Sequence, residues 1–213
     1  GGSSIGTTTA GAGGSWSVDY SGTVLADNSY VLSASATDTA GNGSALSAGF
    51  GLTIDTGVPA APVITGISTD TGISIADGIT NDTTLQVLGS AEPGASVDLL
   101  INGSSVGSVS AGGGGIWSFD YTSTILSDGL QTLTAIATDS AGNLSLISAS
   151  YDVVIDGQDP LVLALSPASN ATGVGLSDNL VVQFDETVYV GAGNIVLRLQ
   201  ADNTVVETID VAG

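Results

Sequence analysis

The sequence predicts an all-β protein built as tandem Ig-like β-sandwiches in a linear array, and three observations carry that prediction. The first is an internal repeat: Trp16 of GGSWSVDY and Trp117 of GGIWSFDY stand 101 residues apart, and the same offset aligns Gly2 to Pro59 with Gly103 to Pro160 without a gap, at roughly half identity. A unit of about 100 residues is the usual size of an Ig-like sandwich. The second is a series of short apolar runs at regular spacing, separated by turn sequences such as EPGA, NGSS, SDG and SAGN. The third is composition: only 10% of residues are charged and 31 are glycine, which suits short strands and tight turns better than helices.

The repeat sets three units. Residues 1–57 read as the carboxy-terminal part of one Ig-like repeat, 58–157 as a complete repeat, and 158–213 as the amino-terminal part of an Ig-like module of a different subfamily. In the complete repeat, strands are expected at Ala61 to Ile67, Thr83 to Gly89, Ser96 to Ile101, Val106 to Ser110, Ile116 to Tyr121, Gln131 to Thr138 and Ser145 to Ile155. Alternation in WSFDY puts Trp117, Phe119 and Tyr121 on one face, expected to be core, and Ser118 and Asp120 on the other.

Charge excludes several function classes. The chain has 21 Asp and Glu against a single basic residue, Arg198, no His, Cys or Met, and a net charge of −20. Without a basic cluster there is nothing to neutralise nucleic-acid phosphates or an anionic membrane surface. Without His, Cys or Lys there is no Ser-His-Asp or Cys-His pair, no thiolate or imidazole zinc site, no disulfide and no Schiff base. Carboxylate chemistry is what remains. No apolar run reaches the roughly 18 to 20 residues that cross a bilayer as a helix, so no membrane insertion is expected.

Several motifs in fixed order, ADGITNDTTLQVLGSAEPGASVDLLINGSSVG, GGIWSFDY, LSDGLQTLTAIATDSAGNLS and the closing VVID, resemble the bacterial Ig-like repeats that form the shafts of giant secreted adhesins of the RTX type in Gram-negative bacteria. The likeness covers residues 58–157 and their counterpart at the start. The third unit, with SPASNATGVGLSDNLVVQFDETVYVGAGNIVL, is similar to an Ig-like module of bacterial S-layer proteins. The first resemblance implies an extracellular, calcium-stiffened chain of domains at the bacterial cell surface that holds a binding tip away from the cell.

Sandwich topology places the carboxylates independently of that resemblance. Successive strands alternate in direction, so AEPGAS and TDSAGN belong to one pole of the middle repeat, where the linker LTIDTGVP arrives. Asp55, Glu92, Asp139 and Asn143 are therefore expected to meet there. Two or three carboxylates with amide and backbone oxygens suit Ca²⁺, which takes about six to eight oxygen ligands, better than Mg²⁺. A second junction would use Asp156 and Asp159 of VVIDGQDP with Asp185 and Glu186 of QFDET; solvated acids are the plain alternative. The loop TDTGISIADGITND offers Asp70, Asp77 and Asp82, although its spacing does not match an EF-hand.

Other acids read as structural. Asp19 and Asp120 occupy outward strand positions, while Asp27 and Asp128 sit in turns where an Asp bonds its own backbone. A glycosidase needs a cleft, one raised carboxyl pKa and stacking aromatics, and aromatics are 5% of this chain. No enzyme is expected. A carbohydrate- or ice-binding module would need an aligned Thr or aromatic face, and the run Thr7 to Thr9 is not kept at Ser108 to Ser110. An adhesin extender leads, with a self-assembling filament or S-layer subunit as its rival. The adjacent Ig-like domains of the same chain are the expected partners. The two half-units have open edges and apolar faces that need cover, for which an incomplete chain is the first expectation and head-to-tail self-association the alternative.

Overall fold

A computed structural model describes residues 3–175, 177–189 and 194–210. The chain divides into two units, Gly1–Asp156 and Gly157–Gly213, each described by itself. The described residues contain strands and no helix.

The first repeat contributes β1 (Asn28–Leu32) and β2 (Phe50–Ile54), an antiparallel pair with Tyr30 opposite Leu52. The complete repeat follows with β3 (Val63–Ile67), β4 (Ile79–Thr80), β5 (Gln86–Ser90), β6 (Ser96–Ile101), β7 (Ser104–Ser110), β8 (Ile116–Asp120), β9 (Gly129–Thr138) and β10 (Tyr151–Ile155). They form a sandwich: one sheet in the order β3-β5-β8 and one in the order β4-β10-β9-β6-β7. All pairings are antiparallel except β4 with β10, which is parallel.

Period-two alternation decides which side chains meet between the sheets. Val97, Leu99 and Ile101 of β6, Leu133, Ala135 and Ala137 of β9, and Val153 and Ile155 of β10 point inward from the larger sheet. Ile64, Val87 and Trp117 answer from the smaller one. Trp117 is 2% exposed, and its indole lies against Gly89 of the neighbouring strand. A Cβ at Gly89 would overlap the ring and crowd the Val63 carbonyl, so glycine there is a packing requirement. Phe119 and Tyr121 are partly buried against the same core, on the face expected of them.

Local chemistry accounts for the strand ends. Asn102 (φ 51°) and Gly103 (φ 77°) make the two-residue turn between β6 and β7 in the left-handed conformation that such hairpins require. The expected strand Ser145 to Ile155 is shorter than its apolar pattern suggests, since only Tyr151–Ile155 is strand. Ahead of it, Ser145 and Ser148 donate their N–H groups to the carbonyls of Ala137 and Ala135. Their hydroxyls accept the N–H groups of the same two alanines, each at 2.9 Å. Side-chain oxygens thus replace carbonyls in the ladder. Ser44 and Ser47 do the same for Ala36 and Ala34 in the first repeat.

The first repeat has the same local geometry but an open face. Trp16, the counterpart of Trp117, is 56% exposed, and Leu32, the counterpart of the fully buried Leu133, is 39% exposed. The aromatic core expected from the pattern therefore holds for the complete repeat and not for Trp16 in this chain. Among its described residues the second unit has two antiparallel pairs, β11 (Val162–Ser166) with β12 (Val181–Phe184) and β13 (Asn194–Arg198) with β14 (Val205–Asp210).

Candidate functional site

The junction between the two repeats is built from a loop that closes on itself. In TDSAGN, one oxygen of Asp139 accepts the N–H groups of Ala141 and Asn143, each at 2.8 Å, and the other accepts the Asn143 side-chain amide at 2.8 Å. Asp38 holds Ala40 and Asn42 in the same way in the first repeat. The recurrence of these two acids thus has a structural reason. These bonds favour the ionised carboxylate, with the Asn amide as the largest influence, and keep Asp38 and Asp139 below the ordinary aspartate range.

One interaction then crosses the junction. The Asn143 amide nitrogen also donates to the backbone carbonyl of Asp55 at 3.1 Å, so one NH₂ group bridges the loop and the arriving linker. Asp55 spends a carboxylate oxygen on the N–H of Gly57. Glu92 is exposed in the turn before β6. Because Ser96 lies opposite Thr138, that turn and the Asp139 loop belong to the same end of the sheet. The structure thus brings Asp55, Asp139 and Asn143 together through hydrogen bonds, with Glu92 at the same pole. Among the described residues no group of three or more Asp or Glu stands close enough to hold a metal ion.

The acidic loop is the second candidate. Asp70 accepts the N–H of Gly78 through one oxygen, 3.0 Å away; its other oxygen is shielded from solvent and has no hydrogen-bond partner. Asp77 caps the N–H of Ile79, and Asp82 accepts both the N–H and the hydroxyl of Thr84. Asp82 is thereby a local turn residue. A carboxylate oxygen without donor or water costs about 1–3 kcal/mol, which a bound cation would offset. By that test, Asp70 fits a hard oxygen-seeking ion better than the satisfied oxygens of Asp139 do.

The other acids divide between the two units. Asp156 ends β10's edge of the first unit, where its N–H bonds the Thr80 carbonyl at 2.9 Å. Asp159, Asp185 and Glu186 belong to the second unit, where an Asp185 oxygen accepts the N–H of Leu161 at 2.7 Å. Asp19 and Asp120 are outward and exposed as expected, each bonding the residue two positions on. Asp27 departs from expectation: it accepts the N–H and hydroxyl of Thr56, tying the end of β2 to the turn before β1. Arg198 donates to the Asn203 carbonyl.

A shallow concavity lined by Thr8, Thr9, Ser15, Trp16 and Ser17 lies in the first repeat. Paired sheets, tight turns and a hydrogen-bonded joint between repeats define a tandem Ig-like architecture. The chain belongs to the bacterial Ig-like domain family, whose model matches residues 1–56 and 58–157.

No curated protein matches the sequence. Several solved structures resemble it distantly, two of them as follows. The fibronectin(III)-like modules of Clostridium thermocellum CbhA align at 18% identity and a TM-score of 0.36, over 62% of this chain and 64% of that one. A tetra-tandem repeat in the extending region of a large adhesion protein aligns at 23% identity and a TM-score of 0.39, over 66% of this chain. The alignments span 64% and 34% of those two structures.

Proposed function

We propose that this chain is an extender segment of a large extracellular bacterial adhesin, holding the parent protein's binding region away from the cell surface. The observation that carries the reading is the duplicated Ig-like repeat, with an Asn143-to-Asp55 bond across the junction. A linker bounded by Pro59 and Pro62 limits bending. The absence of His, Cys and Lys removes Ser-His and Cys-His pairs, thiol redox chemistry and Schiff bases, which agrees with a structural role.

Ca²⁺ is the cofactor this reading takes, with the unpartnered Asp70 oxygen as its first ligand and Asp77 on the same loop. Calcium in extracellular modules binds with dissociation constants of about 10⁻⁴ to 10⁻³ M. The junction acids Asp55, Glu92 and Asp139 would add weaker, more hydrated association at the linker. Small-angle scattering with calcium and with chelator tests the shaft: a longer maximum dimension with calcium supports it, and equal dimensions remove calcium stiffening from the reading. Isothermal titration without heat above background would remove the ion itself.

A self-assembling filament subunit is the rival reading. Electron microscopy separates the two, monomeric rods supporting the extender and ordered polymers the filament.

A further inference from the structure

We propose that the short parallel pairing of β4 with β10 is the mechanical lock of the complete repeat, bearing tension along the chain; its biological purpose rests on the extender reading. The pairing sets Ile79 beside Val154 and Thr80 beside Ile155. At its two ends the ladder is closed by Val154 N–H to the Gly78 carbonyl at 2.7 Å and Asp156 N–H to the Thr80 carbonyl at 2.9 Å.

Direction is what gives this pairing its role. Tension enters the repeat through the chain before β3 and leaves through the chain after β10. Once β3 has parted from β5, it pulls β4 towards its amino end and β10 towards its carboxyl end. In a parallel pair those two ends lie at opposite ends of the ladder, so its bonds are sheared and must yield together. In an antiparallel pair loaded at a shared end, the bonds open one at a time.

A two-residue strand would be a weak lock without support, and β4 is bolted from its outer side. Gly78 is pinned by the Asp70 carboxylate through its N–H. Its φ of 73°, and the 3.0 Å that a Cβ would leave to the Asp152 carbonyl, permit only glycine at this approach. Thr80 is 1% exposed. Its hydroxyl lies 2.8 Å from that of Thr71 and accepts the N–H groups of Thr71 and Asp82. Ile155, also 1% exposed, covers the pairing from the core side. Water is thus kept from the carbonyl of Thr80, and a sheared bond there has no ready replacement partner.

The absence of cysteine makes single-molecule pulling direct. Handles at Ala60→Cys and Gly157→Cys load the chain end to end. Handles at Ser127→Cys and Gly157→Cys open β9 from β10 at their shared end, where Ile155 faces Gly129. The end-to-end rupture force is expected to be several-fold the higher. Val154→Pro deletes the bond to the Gly78 carbonyl and should lower it measurably, with circular dichroism and melting showing the variant folded. If that variant does not fold, Thr80→Val, which keeps the volume and removes the hydroxyl, should lower the force as well. Equal forces in the two geometries, or a folded Val154→Pro or Thr80→Val with the full force, overturn the proposal. Scattering tests the extender reading separately: a lock without a rod would leave this inference standing, and a rod without a lock would leave that reading standing.

Discussion

The side-chain amide of Asn143 donates to the backbone carbonyl of Asp55, 88 residues earlier, at 3.1 Å. The same nitrogen donates to Asp139 at 2.8 Å. One amide therefore closes a loop within the second repeat and ties that repeat to the strand leaving the first. Its counterpart Asn42 closes the equivalent loop on Asp38, so the bond to the linker is an addition to a loop that forms by itself.

Replacing Asn143 by Ala should cost about 1 kcal/mol from the lost hydrogen bonds and widen the distribution of angles between the repeats. Spin labels placed in each repeat would show the broader distance distribution. Asn42→Ala should cost a similar amount and leave that distribution unchanged. Equal breadth in both variants would remove Asn143 from the joint.

Trp117 and Trp16 should respond differently to the same substitution. Trp117→Ala empties a fully packed site and should cost about 3–5 kcal/mol, whereas Trp16→Ala, at a site 56% exposed in this chain, should change stability by less than about 1 kcal/mol. Gly89→Ala should be as damaging as Trp117→Ala, because its methyl group would stand in the indole. Denaturant melts of the three variants compare them.

Acid should destabilise the loops through Asp38 and Asp139. Their hydrogen bonds hold both carboxyls below the ordinary value, which is about 3.9 in an unfolded chain. The unfolded state therefore binds more protons in that window. Stability from these groups is complete above the ordinary value and is lost as pH falls through it to the lowered folded value. Asp19, Asp120 and Asp202 shift the same way, through bonds to Ser21, Thr122 and Thr204. Melting temperatures between pH 7 and pH 3 should fall steeply below about pH 4, and less so in Asp139→Asn.

Neutralising Asp70 should uncouple stability from calcium. In chelator, Asp70→Asn should leave the protein equally stable or raise it by about 1 kcal/mol, since a shielded and unpartnered charged oxygen is removed. With calcium in the millimolar range, the wild-type chain should gain melting temperature and the variant should not. Equal calcium gains in both would place the ion elsewhere.

Much of this architecture is written locally. The 101-residue repeat, the alternation that buries Val97, Leu99 and Ile101, the Asn102–Gly103 turn and the inward Trp117 all follow from residue periodicity and turn chemistry. Each depends on neighbours a few positions away or on the two-residue period of a strand, and a linear reading contains both. Tertiary structure decided what depends on distant partners. It set β4, a two-residue strand recognisable only once β10 lies parallel beside it. It delayed the strand in the apolar run 145–155 to Tyr151, because two serine hydroxyls ahead of it took the place of ladder carbonyls. It assigned Asp27 to Thr56 and the Asn143 amide to Asp55, and it left one Asp70 oxygen without a donor. Most carboxylates bond donors a few residues on, as Asp139 does with Ala141 and Asn143, and spacing can show that; Asp27 with Thr56 and the Asp55 carbonyl with Asn143 join residues 29 and 88 apart, where sequence spacing carries no record of them.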